Sequence, residues 1–221
     1  APFFLWGWGF RWTDHPSLHL GPGTHVDVRA RVQGNLQNSD VSISDDDIRS
    51  NIDMTRRRVG IEGEILNLFD YQVEAELGAS RDPWRDVYLN YKQFDVAHVL
   101  AGKFKVPFSL DENTSATKLD FVHRSRIATL LAPGRDIGVM VHGRVLPRGW
   151  LRYELGVFNE DGSNARTHTT DRIHGERTVA ARALVQPFRS TKSLASDLAF
   201  GVAFTASELP EGVSDIRGRT E

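Results

Sequence analysis

The feature that most restricts the fold of this chain is a strict alternation of polar and apolar side chains over long stretches. It is unbroken from Thr24 to Leu36. Because successive side chains of a β-strand point to opposite faces, such a stretch predicts one strand with a charged face and an apolar face. The charged face carries His25, Asp27, Arg29, Arg31, Gln33 and Asn35, and the apolar face carries Val26, Val28, Ala30, Val32, Gly34 and Leu36.

The same alternation recurs along the chain and predicts about nine strands, most of them about 8–12 residues long. Strands of soluble proteins average about 5–6 residues, whereas strands that cross a membrane need about 9–11. Short turns alternate with long polar loops, as in up-and-down barrels. A small soluble barrel fills its interior with side chains and could not bury so many charges. The pattern therefore predicts an all-β, antiparallel, up-and-down transmembrane β-barrel with a polar interior.

One connection is far longer than the others and is rich in apolar residues. The stretch from Ala101 to Asp136 begins as a strand, stops at Val106-Pro107, and resumes strand alternation only at Asp136. Most loops in compact domains have about 4–6 residues, and longer ones are usually functional or disordered. This loop is too apolar for a disordered linker, so we expect it to pack against a wall. Its apolar residues are Phe108, Leu110, Leu119, Phe121, Ile127, Leu130 and Leu131.

The composition excludes several classes of protein. The 221 residues carry a net charge of −2, which argues against a general nucleic-acid binder. The absence of cysteine excludes disulfides, a thiol nucleophile and a cysteine-ligated zinc. The sequence has no glycine-rich phosphate loop and no nucleophile elbow, so we expect no cofactor and no enzymatic activity. No run of 18 apolar residues is present, so a transmembrane helix is not predicted.

Three motifs around and after the long loop resemble a known family. They read GKFKVPFSLDENTSATKLDFVHRS, APGRDIGVMVHGRV and YELGVFNEDGSN, and RRRVGIEGEI and DPWRDVYLNY fit the same pattern. Together they resemble the phosphate-selective porin O/P family of Gram-negative outer membranes. The resemblance covers roughly residues 17–188. It implies a sixteen-stranded barrel in the cell outer membrane, a homotrimer, contact with lipid and lipopolysaccharide, and a third loop folded into the pore.

About nine strands are too few for that family's barrel, and single-chain bacterial barrels have even strand numbers. We therefore interpret the chain as the N-terminal part of a longer porin. The expected regions are an N-terminal segment at 1–23, a partial barrel at 24–207 with a constriction loop at 107–135, and a polar loop at 208–221.

Basic residues on the charged face are the candidate functional residues. Rings of Arg and Lys are used by anion and phosphate pores, because guanidinium binds phosphate oxygens in a bidentate way. The resemblance implies passive diffusion of small anions, including phosphate or polyphosphate, past such residues. The candidates are Arg29, Arg31, Arg56, Arg58, Lys103, Lys105, Arg135, Arg144 and Arg152.

A second interpretation treats the same charges as solvated wall residues paired with acids. The protein would then be a general porin, or a plugged structural barrel, without anion selectivity. The acids available for pairing are Asp27, Glu62, Glu64, Glu74, Glu76 and Glu154.

Other constellations point to different chemistry. The pairs Glu62/Glu64 and Glu74/Glu76 could serve a soluble hydrolase as glycosidase carboxylates, although adjacent glutamates on one strand face are more often wall residues. His168, Asp171 and His174 could bind a metal, but they lie in a polar loop without a ligand motif. We expect neither constellation to be functional.

Overall fold

The computed structural model describes residues 8–12, 15–37, 51–79, 82–119, 121, 124–146, 149–159, 177–189 and 194–207. These residues form one antiparallel sheet of eleven strands in which each strand is a neighbour of the next along the chain. The all-β, up-and-down expectation is thereby confirmed. The strands are β1 (Trp8–Trp12), β2 (Pro16–Leu20), β3 (His25–Gln37), β4 (Asn51–Ile65), β5 (Phe69–Glu76), β6 (Trp84–Phe94), β7 (Ala97–Lys105), β8 (Arg135–Val145), β9 (Leu151–Phe158), β10 (Thr178–Val185) and β11 (Phe200–Ala206).

Two strands in this set lie in the segment 1–23, where the sequence predicted none. β1 and β2 have only five residues each, and only β2 alternates, with Ser17 and His19 between Pro16, Leu18 and Leu20. They are held by their partners: Trp12 pairs with Pro16, and Ser17 pairs with Asp27 of β3. Such short strands are specified by cross-strand contacts, which a single sequence does not display.

The helical content is confined to short pieces. Helices α1 (Leu110–Asn113) and α2 (Arg126–Leu131) and a 3₁₀ turn at Ala116–Lys118 lie between β7 and β8, and a second 3₁₀ turn covers Leu194–Asp197. Among the residues with a described position, no helix is long and apolar enough to cross a membrane.

The turn between β4 and β5 is fixed by the neighbouring turn. Leu66 and Asn67 both have φ of 55°, the left-handed conformation that a type I′ hairpin turn requires at its two central residues. Leucine rarely adopts it. Here the amide of Leu66 donates to Thr24 Oγ1 at 3.1 Å, and the amide of Asn67 donates to Gly23 O at 2.9 Å. These bonds hold the strained pair in place.

The chain divides into two compact units, residues 1–67 with 71–85, and residues 68–70 with 86–221. In the first unit β3 and β4 keep the predicted alternation. Asp27 pairs with Glu62 and Arg31 pairs with Arg58 on the polar face. Val28, Val32 and other apolar residues of the opposite face are exposed. The apolar face is thus the one that needs an external apolar partner.

In the second unit the polar face of the sheet also carries an apolar cluster. Phe104, Val106, Met140, Phe158 and Ala180 are all buried together, with Tyr88 and Leu100 packed against them. The rings of Phe104 and Phe158 lie 5.3 Å apart.

Two glycines make room for the Phe158 ring. A Cβ at Gly156 would lie 2.8 Å from Phe158 Cε2, and one at Gly138 would lie 2.6 Å from Phe158 Cδ1. Real Cβ atoms essentially never come so close, so a side chain at either position would displace the ring. The glycines in the GVMVHG and ELGVF motifs therefore serve packing.

The two faces of strand β7 are reversed relative to the prediction. The sequence placed Lys103 with the lumen charges, opposite Leu100 and Phe104. In the sheet, Lys103 pairs with Val87 and with Ile137, so it lies on the face of the exposed apolar residues. Leu100 and Phe104 lie on the face that is polar in the neighbouring strands, where they pack in the apolar cluster with Val106 at the base of the long loop.

Candidate pore-lining residues and the loop between β7 and β8

The two ends of the long loop are joined at its base. The amide of Val106 donates to Gly134 O at 2.9 Å, and both Val106 and Pro107 are buried. Serine side chains cap both helices: Ser109 accepts from the amide of Glu112 at 3.3 Å, and Ser125 accepts from the amide of Ala128 at 3.2 Å. The loop is therefore an ordered excursion from two paired strands.

Lys105 and Arg124 meet at the C-terminal end of α1. Lys105 Nζ donates to the carbonyls of Glu112 at 2.6 Å and Thr114 at 3.3 Å. Arg124 donates to the Glu112 carboxylate at 3.1 Å and to the Thr114 carbonyl at 2.7 Å. The last carbonyls of a helix lack intrahelical partners and favour cations. Lys105, a predicted anion ligand, is thus occupied in fixing the loop.

Arg135 is also engaged in an internal contact. Its guanidinium forms a bidentate pair with the Asp86 carboxylate, with N–O distances of 3.1 and 2.8 Å. Both side chains are largely buried. Bidentate arginine–carboxylate pairs are strong and directional, so this one ties the start of β8 to β6.

The apolar side chains of the loop only partly behave as expected. Ala128 and Ala132 are buried, whereas Phe121 is 81% exposed and Leu110, Ile127 and Leu131 are 72–73% exposed. These four residues do not pack against the part of the chain that the structure describes. Phe108 and Leu119 are partly buried, and the Leu130 side chain lies outside the described residues, so the expectation that the loop's apolar residues pack on a wall holds for only some of them.

In the first unit, two of the four predicted arginines form ion pairs with acids. Arg29 forms an ion pair with Glu62, and both side chains are about one-third exposed. Arg58 contacts Glu74 at 3.2 Å and Glu76 at 2.6 Å, and all three are largely buried. These carboxylates thus bind arginine, which leaves them poorly suited to act as a glycosidase pair.

Arg31 differs from its neighbours. It lies directly opposite Arg58 on the polar face, and Arg56, which donates to the Gln33 side-chain oxygen at 2.7 Å, is close by on β4. No hydrogen bond or ion pair joins Arg31 to any residue within the described ranges. Its positive charge therefore has no direct partner among the residues that the structure describes.

In the second unit, three arginines surround one carboxylate. Glu154, whose side chain is 4% exposed, contacts Arg182 at 2.7 Å and Arg152 at 2.6 Å. Arg144 pairs in register with Arg152, and its Nη1 is buried without a hydrogen-bond partner. Within the described part of the chain, three cations therefore lie near one acid, which leaves an excess of positive charge here.

Sequence reasoning missed Arg182. The segment around it looks apolar on both faces, because alanines flank the arginine on both sides. The available signal was its spacing: Arg182 is an even number of residues from Thr178 and Ala180, which places it on the face opposite Val179. The register then sets Arg182 beside Glu154 of β9.

We expect the Arg124→Met variant to loosen the loop. It removes two hydrogen bonds from a charged donor, worth about 1.5–3 kcal/mol each. The amides of Asn113 and Thr114, which close α1, should then exchange with solvent about 10–100-fold faster, measured by hydrogen exchange with mass spectrometry. The control is Arg126→Met. The Arg126 side chain is exposed on α2, so this variant should leave the exchange of the α1 amides unchanged. Equal exchange in the two variants would show that the contacts of Arg124 do not stabilise α1.

The predicted metal-binding residues His168, Asp171 and His174 lie outside the described residues. Among the residues that are described, no group of three or more His, Asp or Glu side chains is placed to hold a metal ion.

An antiparallel sheet with an exposed apolar face and an arginine-rich polar face has the makeup of a porin wall. A scan against protein families agrees, since the model described as phosphate-selective porin O and P matches residues 26–191, more than half of the chain. The chain belongs to this family, as its motifs predicted. A search of the curated proteins found no match. Membership in this family supports an outer-membrane porin, and a channel rather than an enzyme.

Proposed function

We propose that this chain lines a passive outer-membrane channel for small anions such as phosphate, narrowed by the loop between β7 and β8. The observation that carries the proposal is the excess of cations on the polar face. Within the described residues Arg31 has no acidic partner, and Arg152 and Arg182 share the Glu154 carboxylate beside Arg144, whose Nη1 is buried without a hydrogen-bond partner. These charges lie on the polar side of strands whose other side is apolar.

The chemistry of these side chains suits a phosphate pathway. Guanidinium stays protonated at any physiological pH and presents a planar fork that matches phosphate oxygens. A channel also needs binding that is weak enough for release, which several separate sites provide better than one deep site. Arg31 in the first unit and the Glu154 cluster in the second supply such separate sites.

A general porin with little selectivity is the second candidate, and a specific observation favours it. Arg29, Arg58, Arg135 and Arg152 each bind a carboxylate, Lys105 binds carbonyls, Arg56 binds the Gln33 side chain, and Lys103 lies on the apolar face. Seven of the nine predicted anion ligands are thus engaged elsewhere. Selectivity would then rest on the remaining two, which are Arg31 and Arg144.

The membrane partners follow from the exposed face. Ile137, Val139 and Val157 are about half exposed or more and share one face of β8 and β9. We expect this face to contact outer-membrane lipid and lipopolysaccharide or a second subunit of a homotrimer. No cofactor is part of the proposal.

Reversal potentials in planar bilayers test the proposed function. With a salt gradient across the membrane, the full chain should give a potential of the sign set by chloride, and added phosphate should reduce the chloride current. Cation-selective current would overturn the anion pathway. Anion-selective current without an effect of phosphate would leave the general porin as the better description.

Within that experiment, Arg31→Gln should lower the anion-to-cation permeability ratio. Removing one unpaired charge from a surface site changes the local potential by an amount comparable to thermal energy, so we expect a change of about twofold. The matched control is Arg57→Gln on the opposite, exposed face of β4, which removes the same charge. If both variants shift the ratio equally, the position of Arg31 is irrelevant to permeation.

A further inference from the structure

Two histidines face each other across β7 and β8. His98 pairs directly with His142, and their rings lie 5.1 Å apart at an interplanar angle of 71°. Both side chains are partly buried, and they lie on the polar face of the sheet together with Met140. The predicted anion pathway uses neither residue.

A chain of hydrogen bonds determines which nitrogen of His142 carries the proton. Lys92 contacts the Asp70 carboxylate at 2.6 Å, and Asn90 Nδ2 donates to that carboxylate at 3.2 Å. Because a carboxylate only accepts, the amide of Asn90 must present its oxygen to His142. Asn90 Oδ1 lies 3.0 Å from His142 Nε2, so neutral His142 carries its proton on Nε2. The lone pair is then on Nδ1.

This arrangement is the one that accompanies histidines bound to metals. A ligating histidine almost always donates its second ring N–H to a carboxylate, carbonyl or water, which fixes its tautomer and orientation. His142 has this support through Asn90, Asp70 and Lys92.

The ring separation fits a shared ion. Two imidazoles bound to one ion with metal–nitrogen distances of about 2.1 Å at a tetrahedral angle have ring centroids about 5 Å apart. The observed 5.1 Å agrees with this value.

We propose that His98 and His142 form a binding site for a late first-row divalent metal ion, with water completing the coordination. The proposal rests on these contacts and stands independently of the channel's selectivity. Glu154 lies opposite His142 in register but is occupied by Arg152 and Arg182. The two imidazoles are therefore the protein ligands, and nitrogen ligands favour copper, nickel and zinc over magnesium or calcium.

A second histidine pair provides the matched control. His19 pairs with His25 across β2 and β3, with rings 5.7 Å apart. His25 Nε2 lies 3.5 Å from the Asp27 carboxylate, beyond the usual hydrogen-bond length, so its ring is oriented less firmly than that of His142, which lies 3.0 Å from Asn90 Oδ1. It tests whether any cross-strand histidine pair in this protein takes up metal.

The test is electron paramagnetic resonance of the full chain in detergent after addition of one equivalent of Cu²⁺. The spectrum should show splitting from two coordinated imidazole nitrogens, and His98→Gln and His142→Gln should each remove it. Asn90→Leu should weaken copper binding about 10–100-fold, the usual effect of losing such support. His25→Gln should leave the spectrum unchanged.

Two results would overturn the site: a two-nitrogen spectrum that persists in both His98→Gln and His142→Gln, or one that disappears in His25→Gln. A measurement on the native chain guards against misfolded variants. Zinc should protect His98 and His142 from diethyl pyrocarbonate, mapped by mass spectrometry. Equal modification with and without zinc would also refute the proposal.

Discussion

Deleting Ser109–Ala132 and joining Phe108 to Pro133 through two glycines should raise the single-channel conductance about twofold or more, because pore diameter sets conduction. The strands should survive the deletion. The loop ends are already joined by the hydrogen bond from Val106 to Gly134, and the apolar cluster under them involves none of the deleted residues. The measurement is conductance in planar bilayers.

The control for this deletion is Arg126→Gln, which changes an exposed residue of the loop without shortening it. It should leave conductance unchanged. Retention of the native heat-dependent mobility in gel electrophoresis would show that the deleted form is folded. A folded deletion variant with native conductance would mean that the loop does not narrow the pore.

Replacing Glu154 with glutamine should be the most damaging single substitution. It removes the carboxylate that Arg152 and Arg182 share and leaves two cations near Arg144 without compensation. Breaking a buried ion pair by removing one partner costs about 3–5 kcal/mol. The free energy of unfolding in urea, measured in detergent, should fall by about that amount.

Glu62→Gln is the matched control for this substitution. The same chemical change is made in the pair of Glu62 with Arg29, whose side chains are 35% and 36% exposed. Exposed pairs contribute about 0–1 kcal/mol, so this variant should be close to native. If Glu154→Gln is equally mild, the three arginines do not depend on the carboxylate.

Much of the strand pattern could be predicted from the sequence, because each long strand shows the alternation of polar and apolar residues within itself. The alternation at residues 24–36 has the same two faces in β3, and the bounds differ by one residue at each end. The long loop was also evident, since Val106-Pro107 ends the alternation and Asp136 resumes it. These are local properties, and period two is sufficient to read them.

The candidate site was less predictable because its contacts are not local. Arg135 binds Asp86, which is 49 residues away in sequence. Lys105 was expected to face anions, but folding of α1 brings the carbonyls of Glu112 and Thr114 next to its ammonium group. Arg182 was missed because its role depends on its register with Glu154.

By itself the sequence determined the strand class, the two faces of the long strands, the position of the long loop and the family. Tertiary structure decided which side chains of β7 lie on the polar face of the sheet. It also decided which arginines lack an acidic partner among the described residues. The physical reason is that alternation defines two faces of a strand without saying which one is inside. That choice depends on pairing with neighbours, here Val87 and Ile137 beside Lys103.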